Sequence, residues 1–160
     1  MAEPPIFAGW HETLTVSEIA AGARAQPGNE AAPNVAFVDA SALFALADRD
    51  DSAHAVAVTA YRDLISSGFR LFTTDLALAA AHELISATLG PELARSWLAR
   101  CEIHVHAVTL ADLDEGRRAI EEGWSAPDAI LADTIHLAVL DRLGVTDVFA
   151  VDRGFLAMLG

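Results

Sequence analysis

The stretch "VAFVDASALFALADRDD", residues 35–51, decides the fold. Its first four residues are apolar without alternation, as in a strand covered on both faces. Asp39 ends that run, and "ASALFALAD" follows at once as a short helix. A carboxylate at this junction serves equally well as a helix cap or as a group delivered to a site. Which of the two it is depends on whether other acids arrive at the same place.

Outward from there, strands and helices alternate. "FRLFTT" (69–74), "EIHVHAV" (102–108) and "TDVFAVD" (146–152) read as strands. Between them, residues 51–68, 75–90, 91–101, 109–123 and 128–144 read as helices, and "RGFLAML" follows the last strand. Pro91 suits a first helical turn, Thr109 an N-cap, and Gly68, Gly90 and Gly144 helix ends. This alternation predicts an α/β fold: one domain over residues 35–160, with a parallel sheet flanked by helices. Residues 1–34 read differently. "AEPPIFAG" and "RAQPGNEAAPN" have loop composition, and "ETLTVSEIAAGARA" between them reads as a short amphipathic helix with Thr13 or Thr15 as its cap. They are expected to form a partly flexible N-terminal extension.

Composition narrows the classes of function. The chain has 160 residues, 53% of them hydrophobic, which is ample for a real core. Cys101 is the only cysteine, so neither an internal disulfide nor a cysteine-based metal cluster is available. No apolar run approaches the ~18 residues of a membrane span, and the first residues lack the pattern of a secretion signal. The cytoplasm is the expected location. Net charge is −13 and all ten basic residues are arginine. Such a chain lacks the broad basic face of most nucleic-acid binders, although a cation held among carboxylates can supply local positive charge. The absence of lysine also counts against receiver domains and haloacid-dehalogenase-like phosphatases, both of which imply a lysine beside their acids. Phosphate-cradling glycine loops are absent as well.

Ligands of an open parallel sheet bind beyond the carboxyl ends of its strands. Asp39 closes the first strand and Asp152 the last, so both are expected at the same edge. Asp133 stands in the first turn of the helix just before that last strand. Each acid taken singly is explained by capping or by the helix dipole. Three of them on one edge point instead to an oxygen-donor site for a hard divalent cation, Mg²⁺ or Mn²⁺. The chemistry suited to such a site is hydrolysis of a phosphodiester by activated water.

"VAFVDASALFALAD", "RLFTTDLALAA…LISATLG" and "LADTIHLAVLDRLGVTDVFAVDRGF" together resemble the PIN-domain ribonucleases, particularly the VapC-type toxins of toxin–antitoxin pairs. The resemblance spans about residues 35–157. It implies a Mg²⁺/Mn²⁺ site of acids, an RNA substrate, a cognate antitoxin protein and a homodimer. Asp39, Asp133 and Asp152 match the family's catalytic, metal-holding acids. Ser41 matches a small hydroxyl residue behind the first acid, and Phe155 follows the last. Ser41 and Arg153 are candidate substrate contacts, with Arg49 a second candidate for phosphate. The family's remaining acid falls on Ala80. Glu83, three residues on, is its candidate replacement, since residues three apart share a helix face.

Other signals are weaker. "HELIS" (82–86) begins like a zinc-protease motif but has Ser86 where the second histidine belongs. His104 and His106 share a strand face and read as ordinary strand histidines. His136, one turn after Asp133, reads first as a packing residue, the alternative being that it faces the acid pocket and senses its charge. Asp75 and Asp128 read first as helix caps. Trp10, Trp97 and Trp124 are too scattered in sequence to argue a base-stacking platform.

Three functions therefore stay open: a metal-dependent endoribonuclease toxin; a PIN-like binding or scaffold protein impaired by Ala80; and a phosphoesterase for small substrates. A further expectation is that Arg24 reaches the acid pocket and blocks it.

Overall fold

The computed structural model describes residues 34–125 and 127–159, with the Arg153 side chain excepted. The expectations for residues 1–33, including the helix carrying Arg24, lie outside them. Four strands form one parallel sheet: β1 (Val35–Val38), β2 (Arg70–Thr74), β3 (His104–His106) and β4 (Asp147–Phe149), in the order β3-β2-β1-β4. Seven helices surround it among the described residues: α1 (Ala40–Ala47), α2 (His54–Ser66), α3 (Asp75–Leu89), α4 (Pro91–Arg100), α5 (Leu110–Glu121), α6 (Leu131–Leu143) and α7 (Arg153–Met158).

The two faces of β1 account for the layers. Ala36 and Val38 pack with Leu43, Leu46 and Leu71 on one side, while Val35 and Phe37 pack with Val139, Leu143 and Phe155 on the other. Every residue of β1 is buried, which is why its sequence does not alternate. The last strand lies directly against the first, pairing Ala36 with Asp147 and Val38 with Phe149. The order of crossovers reverses at β1, so the crevice where ligands bind such sheets opens above β1 and β4.

Several boundaries differ from the sequence reading. Strand β4 ends at Phe149 rather than at Asp152. The backbone N–H groups of Val151 and Asp152 donate instead to Ser41 Oγ, at 3.1 and 3.2 Å, which draws the chain out of the ladder. Helix α6 begins at Leu131 with Ile130 at its cap position, so Asp128 caps nothing. Thr74 rather than Asp75 caps α3, accepting from Ala77 N at 3.0 Å. Asp75 turns outward and accepts from Val108 N at 3.0 Å, tying β2 to the segment after β3. Thr109 caps α5 as expected, in a reciprocal capping box with Asp112.

Gly116 sets how closely α5 and α6 approach. A Cβ there would stand 2.7 Å from Ile135 Cγ1 and 2.8 Å from Ile135 N. Thr134 Oγ1 donates to Gly116 O at 2.9 Å across the same contact. The first turn of α6, which bears Asp133, is therefore held against α5 at a spacing only glycine permits.

Candidate active site

Asp39 is 7% exposed and sits between β1 and α1 as the cap of α1. Its backbone N–H donates to Phe149 O at 2.9 Å, extending the β1–β4 ladder by one bond. Its Oδ2 accepts from Ser41 N at 3.0 Å and from Ser41 Oγ at 2.7 Å. Asp152 caps α7, with Oδ1 accepting from Gly154 N at 2.9 Å. The capping explanation is thus true of both acids at their own helices, but it does not account for their convergence.

That convergence is recorded at Asp133. Burial, and then the neighbouring charges of Asp39 and Asp152, push its carboxyl from the ordinary 3.8 up to about 6. Three carboxylates from β1–α1, α6 and the approach to α7 therefore share one field at the sheet's carboxyl edge. Like charges in a half-buried site cost free energy unless a proton or a cation neutralises them.

Ser41 is the hinge of this arrangement. Its hydroxyl donates to Asp39 and accepts from the backbone N–H groups of Val151 and Asp152. One donor and two acceptor positions exhaust what a hydroxyl offers. The geometry gives Ser41 the task of holding Asp39 and the Asp152 loop together, with no capacity left over for a substrate.

The other candidates are placed as follows. Glu83 is exposed on α3, and Asp133 owes its shift to burial, Asp39 and Asp152 rather than to Glu83. Arg49 is exposed in the turn after α1. Arg153 opens α7, but its side chain lies outside the described residues. His136 is buried, with Nε2 2.7 Å from Thr74 Oγ1 and its ring 4.9 Å from that of Phe37. Burial pushes its imidazole below the usual range, while the charges of Asp39 and Asp75 pull the other way. It both packs and feels the acids. His106 Nε2 lies 2.9 Å from Arg142 Nη2 and is thereby engaged in the Arg142–Asp112 cluster.

Sequence reasoning missed the Arg142–Asp112 pair. Arg142 grips both oxygens of Asp112 at 2.8 Å, locking α6 to the start of α5. The Thr-x-x-Asp spacing of residues 109–112 signalled the cap but not the arginine, because Arg142 lies 30 residues away. Gly116 in mid-helix was a visible signal of close packing that went unread.

Among the described residues, no three histidine, cysteine, aspartate or glutamate side chains close around a single cation position as they stand. The donor set itself suits a hard divalent cation: it is all carboxylate oxygen, and its mutual repulsion is what such an ion relieves. Among the described residues, no helix is long and apolar enough to cross a membrane.

No family profile matches the chain, and no curated protein matches it. A solved structure does: VapC20 of Mycobacterium tuberculosis, a sarcin–ricin loop cleaving toxin, at 23% identity and a TM-score of 0.61. The similarity covers 77% of this chain and 93% of that one. The PIN-like fold implied by the sequence resemblance is therefore the fold that this chain shares with VapC20 over most of its length.

Proposed function

We propose that the protein is a metal-dependent endoribonuclease of PIN type, the toxin of a toxin–antitoxin pair. One observation carries the reading: Asp133 is driven to about 6 by burial and by Asp39 and Asp152, at the carboxyl edge of a parallel sheet. The fold shared with an RNA-cleaving toxin supports the choice of substrate.

Asp39, Asp133 and Asp152 would hold Mg²⁺ or Mn²⁺. A divalent cation there supplies an acidified water and offsets charge on the phosphate. The chain's own residues orient that chemistry. Ser41 fixes Asp39 relative to the Asp152 loop, Gly116 sets the depth of Asp133, and the first turn of α6 presents it. Arg153, at the start of α7, is the proposed phosphate contact. A cognate antitoxin, homodimerisation and a cytoplasmic location belong to the same proposal, as does the reading of residues 35–160 as the working domain.

The exposure of Glu83 favours a second reading. With Ala80 in the family's acid position, the site holds three carboxylates rather than four, and the protein serves as a PIN-like binding partner without cutting.

Two measurements separate these readings. Calorimetry is expected to show Mn²⁺ binding by the parent that Asp39→Asn abolishes. RNA is expected to be cut by the parent and spared by the same variant. Cleavage by Asp39→Asn at the parental rate would sink the ribonuclease reading. Absence of Mn²⁺ binding to the parent across the micromolar to millimolar range would favour the binding partner.

A further inference from the structure

A groove of about 530 Å³ lies between α5, α6, α7 and the segment joining α5 to α6. It adjoins the acid site directly. Gly154, whose N–H donates to Asp152, lines it, as does Thr134, which follows Asp133. At its mouth stands Trp124, 61% exposed. Trp124 is not on a loose loop: its backbone N–H donates to Ala119 O at 2.9 Å, and Ser125 Oγ donates to the same oxygen at 3.2 Å. The backbone that carries this wide apolar indole is thus tied to the end of α5. Three carboxylates share the lining, Asp128, Asp141 and Glu115, of which Glu115 is paired with Arg118.

We propose that this groove receives a single unstacked base of the RNA, a guanine, beside the bond to be cut. The proposal rests on the ribonuclease reading and names how the substrate is recognised. A chain with a net charge of −13 and no lysine cannot hold RNA chiefly through its phosphates. Stacking on an aromatic side chain is the available alternative, and it does not depend on positive charge. The polar lining selects among bases. A carboxylate accepts hydrogen bonds and donates none. Guanine alone presents two adjacent donors, N1–H and the N2 amino group, on its pairing edge, which match the two oxygens of one carboxylate. Adenine and cytosine each set one amino group beside an acceptor, and uracil flanks its single N–H with two carbonyls, so each meets repulsion. The volume lies within the range of grooves that hold small ligands.

The test reads binding rather than turnover. Fluorescence anisotropy of 5′-dye-labelled heptaribonucleotides UUUGUUU, UUUUUUU and UUU-abasic-UUU is titrated, in chelator, with the full chain. The parent is expected to bind the guanine oligomer at least about tenfold more tightly than the abasic one. Trp124→Ala is expected to lose that difference, and Trp124→Phe to keep most of it. Asp128→Asn/Asp141→Asn is expected to bind guanine and uracil oligomers alike. Equal affinity of the parent for guanine and abasic oligomers overturns the proposal, and so does a preference that survives Trp124→Ala. Trp124-dependent binding of a dye-labelled arginine-rich peptide, with none of the guanine oligomer, overturns it in favour of a protein partner. RNA cleavage without a Trp124-dependent base preference overturns this inference and leaves the ribonuclease reading intact. Guanine binding without cleavage supports the groove and counts against that reading.

Discussion

Asp133→Asn tests whether the three carboxylates truly share a field. The carboxyl of Asp133 stands at about 6 rather than 3.8, because burial and then the charges of Asp39 and Asp152 disfavour its ionised form. Folded protein therefore holds this proton more tightly than unfolded chain does. The stability it contributes is fully present below 3.8 and is lost as pH rises through 6. Fully converted, the displacement is worth at most ~3 kcal/mol. Solvent screening at a half-buried position reduces that to about 1–2 kcal/mol. Asparagine forfeits the favourable effect of an acid in a first helical turn, about 0.3–1 kcal/mol. The net gain expected at pH 8 without divalent cation is about 1 kcal/mol, or roughly 3–6 °C in Tm for a domain of this size. At pH 4 the two proteins are expected to melt together or the parent slightly higher. The assay is thermal unfolding of both proteins from pH 4 to pH 8 in chelator. Taking the difference between them cancels His106 and His136, whose lowered values act in the opposite direction. A variant no more stable than the parent at pH 8 would refute the shared field. Adding Mn²⁺ at pH 8 is expected to stabilise the parent and to shrink the advantage of the variant.

Three further outcomes follow from the packing. Gly116→Ala is expected to cost about 1–3 kcal/mol, because its Cβ meets the backbone N of Ile135 as well as the side-chain Cγ1, so a rotamer change of Ile135 cannot by itself relieve the clash, and a urea midpoint within experimental error of the parent would contradict this. Asp112→Ala is expected to cost about 1–3 kcal/mol, because it removes both charge-assisted bonds from Arg142 and the capping partner of Thr109 while leaving Arg142, 34% exposed, in reach of solvent; chemical denaturation reads it. Burial alone would raise the Asp112 carboxyl, but Arg142 and Thr109 outweigh it and hold it at about 2, so the stability it adds is present above 3.8 and lost as pH falls toward 2. Ser41→Ala is expected to cost about 1–3 kcal/mol and to lower Mn²⁺ affinity, since two backbone N–H groups and Asp39 lose one shared partner. Unchanged Mn²⁺ affinity in that variant would remove Ser41 as a positioning residue.

The fold was legible in the sequence because its signals are short-range. An apolar run too brief for a helix, Gly144 closing α6 in the left-handed region at φ 70°, and Thr109 at the start of α5 each act within a turn of their own position. Where local signals competed, the reading slipped. Asp75 and Asp128 both looked like caps, yet Thr74 took one position and Ile130 the other.

The sequence by itself determined an α/β chain with acids at strand ends and helix starts. Only the tertiary structure decided that β4 lies against β1, that Ser41 clasps the two ends, and that Asp133 is pressed into the field of its neighbours. It also decided that Trp124, unremarkable along the chain, stands over a groove beside those acids. The reason is physical. Helix and strand preferences act over a few residues, whereas burial and Coulomb interaction depend on distance through space, which strand order and the close contact at Gly116 set.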